Sequence, residues 1–210
     1  MESEWNEVRS MSKLKGIIGA IVVITIGLLV LIGSSVVYID GDQVGIVEKK
    51  LGGGSLPEGK IIATDGENGI QAEILAPGWH FFYWPWQYKV IKESLTEIPE
   101  GHIGIIQAHD GKSLPQNTVY APEWENPDQM LNAQYFLTEG DGYKGPQLTV
   151  IKPGKYRLNT KLFSIKTAPV VDVKTGSVAV IKSNVGEQLT SVDRLVEKGK
   201  RGIWKTPLTE

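Results

Sequence analysis

Residues Gly16 to Tyr38 read GIIGAIVVITIGLLVLIGSSVVY, an unbroken stretch without a charged side chain. At about 1.5 Å of rise per helical residue, such a stretch crosses a hydrocarbon core of roughly 30 Å. No polar stripe at helical spacing interrupts it, as the wet face of a soluble helix would require. The rival reading is a cleaved signal peptide, whose apolar region is shorter and leads into a small-residue cleavage site. Ser34 and Ser35 are small, yet Val36, Val37 and Tyr38 carry the apolar run past them. The expectation is a retained single transmembrane helix over 16–38 behind a tail at 1–15, in a protein that works at a membrane. Ile17, Ile21, Ile24, Leu28, Leu29, Leu31 and Val36 are its anchor residues.

Sidedness follows from the basic residues near the two ends. Arg9, Lys13 and Lys15 precede the run, whereas Asp40 and Asp42 follow it at once, with Lys49 and Lys50 further on. The positive-inside bias places the N-terminus in the cytoplasm and the folded part outside.

Beyond the anchor lie about 170 residues, enough for one ordinary domain or two small ones. They are rich in Gly, Pro, Val and Ile, which points to β structure with many turns. A formal net charge of −2 and the lack of a basic patch interleaved with aromatics give no sign of a nucleic-acid partner. The chain has no cysteine, which excludes disulfides, thiolate metal sites and cysteine nucleophiles.

One pattern recurs. Ile39-Asp40-Gly41-Asp42-Gln43-Val44-Gly45-Ile46 is echoed by Ile98-Pro99-Glu100-Gly101-His102-Ile103-Gly104-Ile105, and again by Val173-Lys174-Thr175-Gly176-Ser177-Val178-Ala179-Val180. Each reads as a Gly-centred turn launching a β-branched strand. Leu56-Pro57 and Leu114-Pro115 follow in the first two copies. Both then close on a Pro-Gly turn, Pro77-Gly78-Trp79-His80 and Pro153-Gly154-Lys155-Tyr156. Ordered agreement at three places implies tandem β modules: the first at 39–97, the second at 98–172, and the start of a third at 173–210, which stops before any Pro-Gly closure and so looks truncated. The second copy carries an insertion. Asn126-Pro127-Asp128-Gln129 has a cap, a proline at the first helical position and a glutamine placed for a capping box, so a short helix to about Leu137 is expected, ended by Gly140 and Gly142.

These motifs resemble the SPFH superfamily (band 7, stomatin, prohibitin and flotillin relatives), in particular its flotillin-like bacterial and archaeal members. The carriers are Gly101 to Ile106 after Ile98-Pro99, Gly145-Pro146-Gln147-Leu148 leading through Pro153-Gly154-Lys155-Tyr156 to Leu158-Asn159, and Arg201-Gly202-Ile203-Trp204 with Pro207-Leu208. The resemblance spans residues 39 to 210. It implies an α+β, β-rich SPFH-like fold behind the membrane helix. It also implies a coiled-coil region, not present in these residues, that builds rings or cages on the membrane.

Motifs with chemical meaning are weak. Gly54 to Lys60 has P-loop spacing, but Ile61 replaces the magnesium-binding hydroxyl and Pro57 sits inside the loop. Gly140-Asp141-Gly142-Tyr143-Lys144-Gly145 fits the dinucleotide fingerprint in letters only, because a helix precedes it and a strand follows. His80, His102 and His109 lack partners at metal-ligand spacing. No G-x-S-x-G element occurs. Glu97 with Glu100 and Glu123 with Glu125 read as solvated loop acids, and 65–69 as a turn rather than a calcium loop. No catalytic, cofactor or metal residue is assigned.

The block from Trp79 to Tyr88, WHFFYWPWQY, is the unusual feature. As a strand it is apolar on both faces, which fits either burial between modules or a bilayer-contacting edge. Trp79, Phe82, Trp84 and Trp86 are the candidate membrane contacts. Within that set Trp79 is expected to behave as core beside its Pro-Gly turn, and Trp84 or Trp86 as membrane contact. The resemblance implies a non-enzymatic membrane scaffold that homo-oligomerises and organises membrane proteins or lipids. Alternatives are a regulatory subunit restraining a membrane protease and the anchored half of a larger enzyme.

Overall fold

The computed structural model of the protein describes residues 2–116, 118–180, 182–183, 195–196 and 202–204, with side chains over 15–116 and 118–180. Helix α1 runs from Glu2 to Ser34, so the segment expected as a tail is helical and continuous with the apolar run. Its stretch Lys15–Ser34 has a mean hydropathy of 2.8, is unburied by the rest of the protein, and is long and apolar enough to cross a membrane. The hydroxyl of Thr25 is absorbed by Ile21 O at 2.9 Å, as a polar side chain on such a helix requires.

The helix stops four residues before the apolar run does. Ser34 and Ser35 turn their hydroxyls back onto Leu31 O and Ile32 O, each at 2.7 Å, and so satisfy carbonyls that the last turn leaves open. Val36, expected within the span, lies outside the helix and is half-buried. Val37 and Tyr38 belong to strand β1 (Val37–Ile39). Their β-branched and aromatic side chains favour the extended backbone once a pairing partner is present.

Seven more strands and two short helices follow: β2 (Gln43–Lys49), β3 (Ile62–Ala63), β4 (Gly69–Leu75), β5 (Gly78–His80), β6 (Tyr88–Ser94), β7 (Thr96–Ile98), β8 (His102–Ala108), α2 (Pro127–Leu131) and α3 (Ala133–Leu137). Then come β9 (Gly145–Ile151), β10 (Gly154–Tyr156) and β11 (Phe163–Pro169). One sheet has the order β3-β4-β2-β6 and another β11-β8-β9, while β1 pairs β5 and β7 pairs β10. Three short strands, β12 (Lys182–Ser183), β13 (Leu195–Val196) and β14 (Gly202–Trp204), form a separate sheet in the order β12-β14-β13. Most of the stretch expected to start a third module, including Arg201, Pro207 and Leu208, lies outside the described residues.

The two larger sheets are built on the same register. The β2–β4 ladder slips between Ile46 and Glu48, and the β8–β9 ladder slips between Ile105 and Gln107. Beside each slip a glutamine amide turns back onto carbonyls at the start of its own strand. Gln71 Nε2 donates to Glu67 O and Gly69 O, and Gln147 Nε2 to Tyr143 O and Gly145 O. The opening turns also match, with Gln43 N donating to Asp40 O and His102 N to Pro99 O. Above each central strand an isoleucine closes over a glycine: a Cβ on Gly45 would lie 2.9 Å from Ile39 Cδ1, and one on Gly104 would lie 2.5 Å from Ile98 Cδ1. These glycines exist to let a neighbouring strand pack against backbone.

The larger core holds Ile98, Ile106, Met130, Phe136, Ile151, Leu158, Leu162 and Phe163 together with Ile62 and Ala72. It thus joins the two sheets. A smaller one centres on Ile39, Val47 and Leu75, with Tyr83, Tyr88 and Val90 against it. Each fully buried large side chain contributes about 1.5–3 kcal/mol. Polar links run beside this contact. Buried Asn159 donates to Gln71 O and Ala72 O, Glu93 accepts from Thr160 and Lys161, and Arg157 donates to Gly41 O.

The insertion is two helices rather than one. Asn126 caps α2 by accepting from Asp128 N, but Asn132 leaves the helical region at φ −75°, ψ 105° and caps α3 by accepting from Tyr135 N at 3.0 Å. A short acceptor side chain competes with the helix backbone at that point and restarts it on a new axis.

Candidate functional site: an aromatic loop at the end of the apolar helix

The stretch from Trp79 to Trp86 is not a single strand. Strand β5 ends at His80, because only three residues of β1 are available to pair with it: Val37 opposite His80, Tyr38 opposite Trp79 and Ile39 opposite Gly78. Phe82 then takes φ 68°, in the left-handed region that a bulky residue seldom adopts, and the chain loops outward. A turn closes the loop, with Gln87 N and Tyr88 N both donating to Trp84 O.

Both ends of the loop are tied down. Tyr83 N donates to Ser35 O at 2.9 Å, one residue beyond the end of α1. Lys50 Nζ reaches Pro85 O at 3.2 Å, and Lys50 N donates to Gln87 O at 2.7 Å. The loop is therefore fastened to the last turn of the apolar helix on one side and to β2 on the other.

Its rings divide into two sets. Tyr83 and Tyr88 turn inward, 5.4 Å apart, and join the core of the first sheet. Burial, then Tyr88 and Glu73, hold the Tyr83 hydroxyl above the usual tyrosine range. Trp79, Phe81, Phe82 and Trp86 are exposed, Phe82 to 72% and Trp79 to 67%. Trp79 is thus not core: its Pro-Gly turn is shallow, and it leans instead on Tyr38 at 4.9 Å, itself an exposed ring. Trp84 is half-buried and stacks on Trp86 at 5.0 Å. Of the candidate contacts, Trp79, Phe82 and Trp86 are exposed, and half-buried Trp84 stacks on Trp86. Ile17, Ile21, Ile24, Leu28, Leu29 and Leu31 are all exposed along α1, and the loop is bonded to the residue that follows that helix. Phe81 and Tyr38 were missed in the sequence, the first because it sat between more conspicuous tryptophans and the second because the helix was drawn through it.

Under the loop lies a cavity of about 490 Å³ lined by Val47, Thr64, Glu73, Phe81, Tyr83 and Tyr88 among others. A second, of about 500 Å³, lies on the other side of Glu73 against α3 and Arg157.

The motif look-alikes have structural explanations. Gly54 to Lys60 leads to a link between the sheets: buried Asp110 accepts from Ile61 N and Ile62 N at 2.7 and 2.9 Å, with Lys60 Nζ 3.5 Å away. Burial pushes the Asp110 carboxyl up, but the backbone donors of Ile61, Ile62 and Gly111, aided by Lys60, outweigh it and leave it below the usual range. The glycines of the dinucleotide-like run answer to packing, since a Cβ on Gly142 would strike the Phe136 ring at 2.5 Å. His80 contacts Ala76 O and His102 contacts Glu100 O, while the backbone N of His109 donates to Leu162 O. Among the described residues, no group of three or more His, Asp or Glu is placed to hold a metal.

No protein-family model, curated protein or solved structure matches this chain.

Proposed function

We propose that this protein is a membrane-anchored, non-enzymatic scaffold of the flotillin or band 7 type, which homo-oligomerises and organises membrane proteins or lipids through its β-rich part. In this reading α1 is a retained single span, with the N-terminus cytoplasmic and the folded part outside. Trp79, Phe81, Phe82 and Trp86 rest in the headgroup region, where aromatic rings are favoured. The observation that carries the reading is the bond from Tyr83 N to Ser35 O, which holds exposed aromatic surface against the point where the apolar helix ends. An exposed patch of this kind, continuous with a hydrophobic helix, marks a contact surface.

The test is quenching of tryptophan fluorescence by lipids brominated at defined depths, using full-length protein in nanodiscs. Shallow bromines should quench more strongly than deep ones, and W79S/W86S should remove most of that shallow component. Equal quenching in the double variant would refute the membrane seat. For the scaffold itself, crosslinking of full-length protein in native membranes should yield multimers. A strictly monomeric pattern would refute it.

A further inference from the structure

We infer that the cavity under the aromatic loop binds the ammonium headgroup of a membrane phospholipid, of the ethanolamine or choline type. The inference rests on the membrane-seated reading of α1 and the loop. Its volume, about 490 Å³, falls within the range of roughly 300–1,000 Å³ typical of small-ligand sites. Phe81, Tyr83 and Tyr88 line it with aromatic rings, and Glu73 is the one ionisable carboxylate on its wall. Glu73 has no hydrogen bond or ion pair among the described residues, although its charge reaches the Tyr83 hydroxyl. Arg157 lines the neighbouring cavity and is committed to Gly41 O.

Aromatic faces with an unpaired carboxylate form the recognition chemistry of alkylammonium groups. An anionic headgroup would meet Glu73 with like charge. Lys49 Nζ donates to Gly66 O, a wall residue, at 2.7 Å. That position suits the phosphate which follows the ammonium in a zwitterionic head. Tyr83, a wall residue, is bonded through its N to Ser35 O, which ties that wall to the point where α1 ends and, in the membrane-seated reading, to the headgroup level.

The experiment is native mass spectrometry of the full-length protein released from micelles doped with equal phosphatidylethanolamine, phosphatidylcholine and phosphatidylglycerol of one acyl composition. Wild type should retain one of the ammonium lipids over phosphatidylglycerol by roughly fivefold or more. Glu73→Gln, which keeps the shape, and Phe81→Leu, which keeps the apolar bulk, should each lower that ratio toward one. The inference is overturned if wild type shows no preference, or if both variants keep it. Retention of soluble phosphoethanolamine or phosphocholine by wild type, with no retained lipid of either head type, would reassign the cavity to a free ammonium compound and would equally overturn the lipid assignment. Failure of the underlying reading shows separately, as absent shallow bromolipid quenching in wild type. A lost headgroup preference with quenching intact would sink only the cavity proposal.

Discussion

Asp110 Oδ2 accepts two consecutive backbone N–H groups, those of Ile61 and Ile62, across almost fifty residues of chain. The pair locks the start of β3 onto the end of β8, and the carboxylate is almost wholly shielded from water. Replacing Asp110 with Ala leaves those donors without a partner in a dry place. The expected loss is about 1–3 kcal/mol for the orphaned groups, and more if the Lys60 contact matters. Asp110→Asn should cost less, since the amide oxygen still accepts. Chemical melts of the full-length protein in detergent check both.

The same carboxylate predicts a pH dependence. Its folded-state pKa is depressed, so the native form binds fewer protons than the unfolded chain near the unfolded value of about 3.9. Its contribution is present above that value and is lost as pH falls through the lower folded pKa. Glu93, whose burial is outweighed by Lys161 and Thr160, acts in the same direction. Stability measured from pH 6 down to pH 2 should fall, and Asp110→Asn should flatten the fall. An unchanged slope in the variant would contradict the assignment.

Gly104 predicts a steric cost. An added methyl would meet Ile151 Cγ1 and Ile98 Cδ1, each at 2.5 Å, and overpacking of this kind costs typically 1–3 kcal/mol. Gly104→Ala should therefore destabilise, and adding Ile98→Val, which deletes one of the two clashing atoms, should restore part of the loss. A double-mutant cycle with no coupling would show that the clash is relieved elsewhere.

Within the aromatic loop, stability and membrane contact should separate by residue. Tyr83→Ala removes a half-buried ring from the smaller core, at roughly 2–3 kcal/mol, below the 3–5 of a fully buried aromatic. Trp79→Ser and Trp86→Ser should leave the melt nearly unchanged, because both rings face outward. Equal destabilisation by all three would place the tryptophans in a core.

Arginine at both Leu28 and Leu29 should block insertion, at roughly 2.5–3.5 kcal/mol for each central charge. Carbonate extraction reads the result. A variant that stays in the membrane pellet like wild type would show that α1 is not the anchor.

How far the sequence could be read depended on how local the cause was. The turns at Asp40, Pro99 and the two Pro-Gly pairs are set by residues within four positions of one another, so their chemistry was visible in the letters. Likewise Asn126 announced the start of α2. Asn132 did not announce α3, because an asparagine within a helical pattern looks tolerable until the competing cap is seen. The aromatic block was misread for a longer-range reason. How much of it is strand depends on β1, which contributes only three residues, and β1 exists only because the helix gives up Val36 to Tyr38. Asp110 carried no signal beyond an Asp-Gly turn, since its partners lie in a different sheet.

The short junction at Ser35 has a mechanical consequence. The helix ends at Ser34, β1 begins at Val37, and a backbone bond from Tyr83 clamps the residue where the helix ends. Such a joint leaves only Ser35 and Val36 between helix and strand. If α1 spans a bilayer as proposed, a turn of the helix about its own axis would swing the first sheet around the membrane normal, and a tilt of α1 would lift or press the aromatic loop. The azimuth of the helix and the heading of the β-rich part would then be coupled through these two residues and the Tyr83 bond.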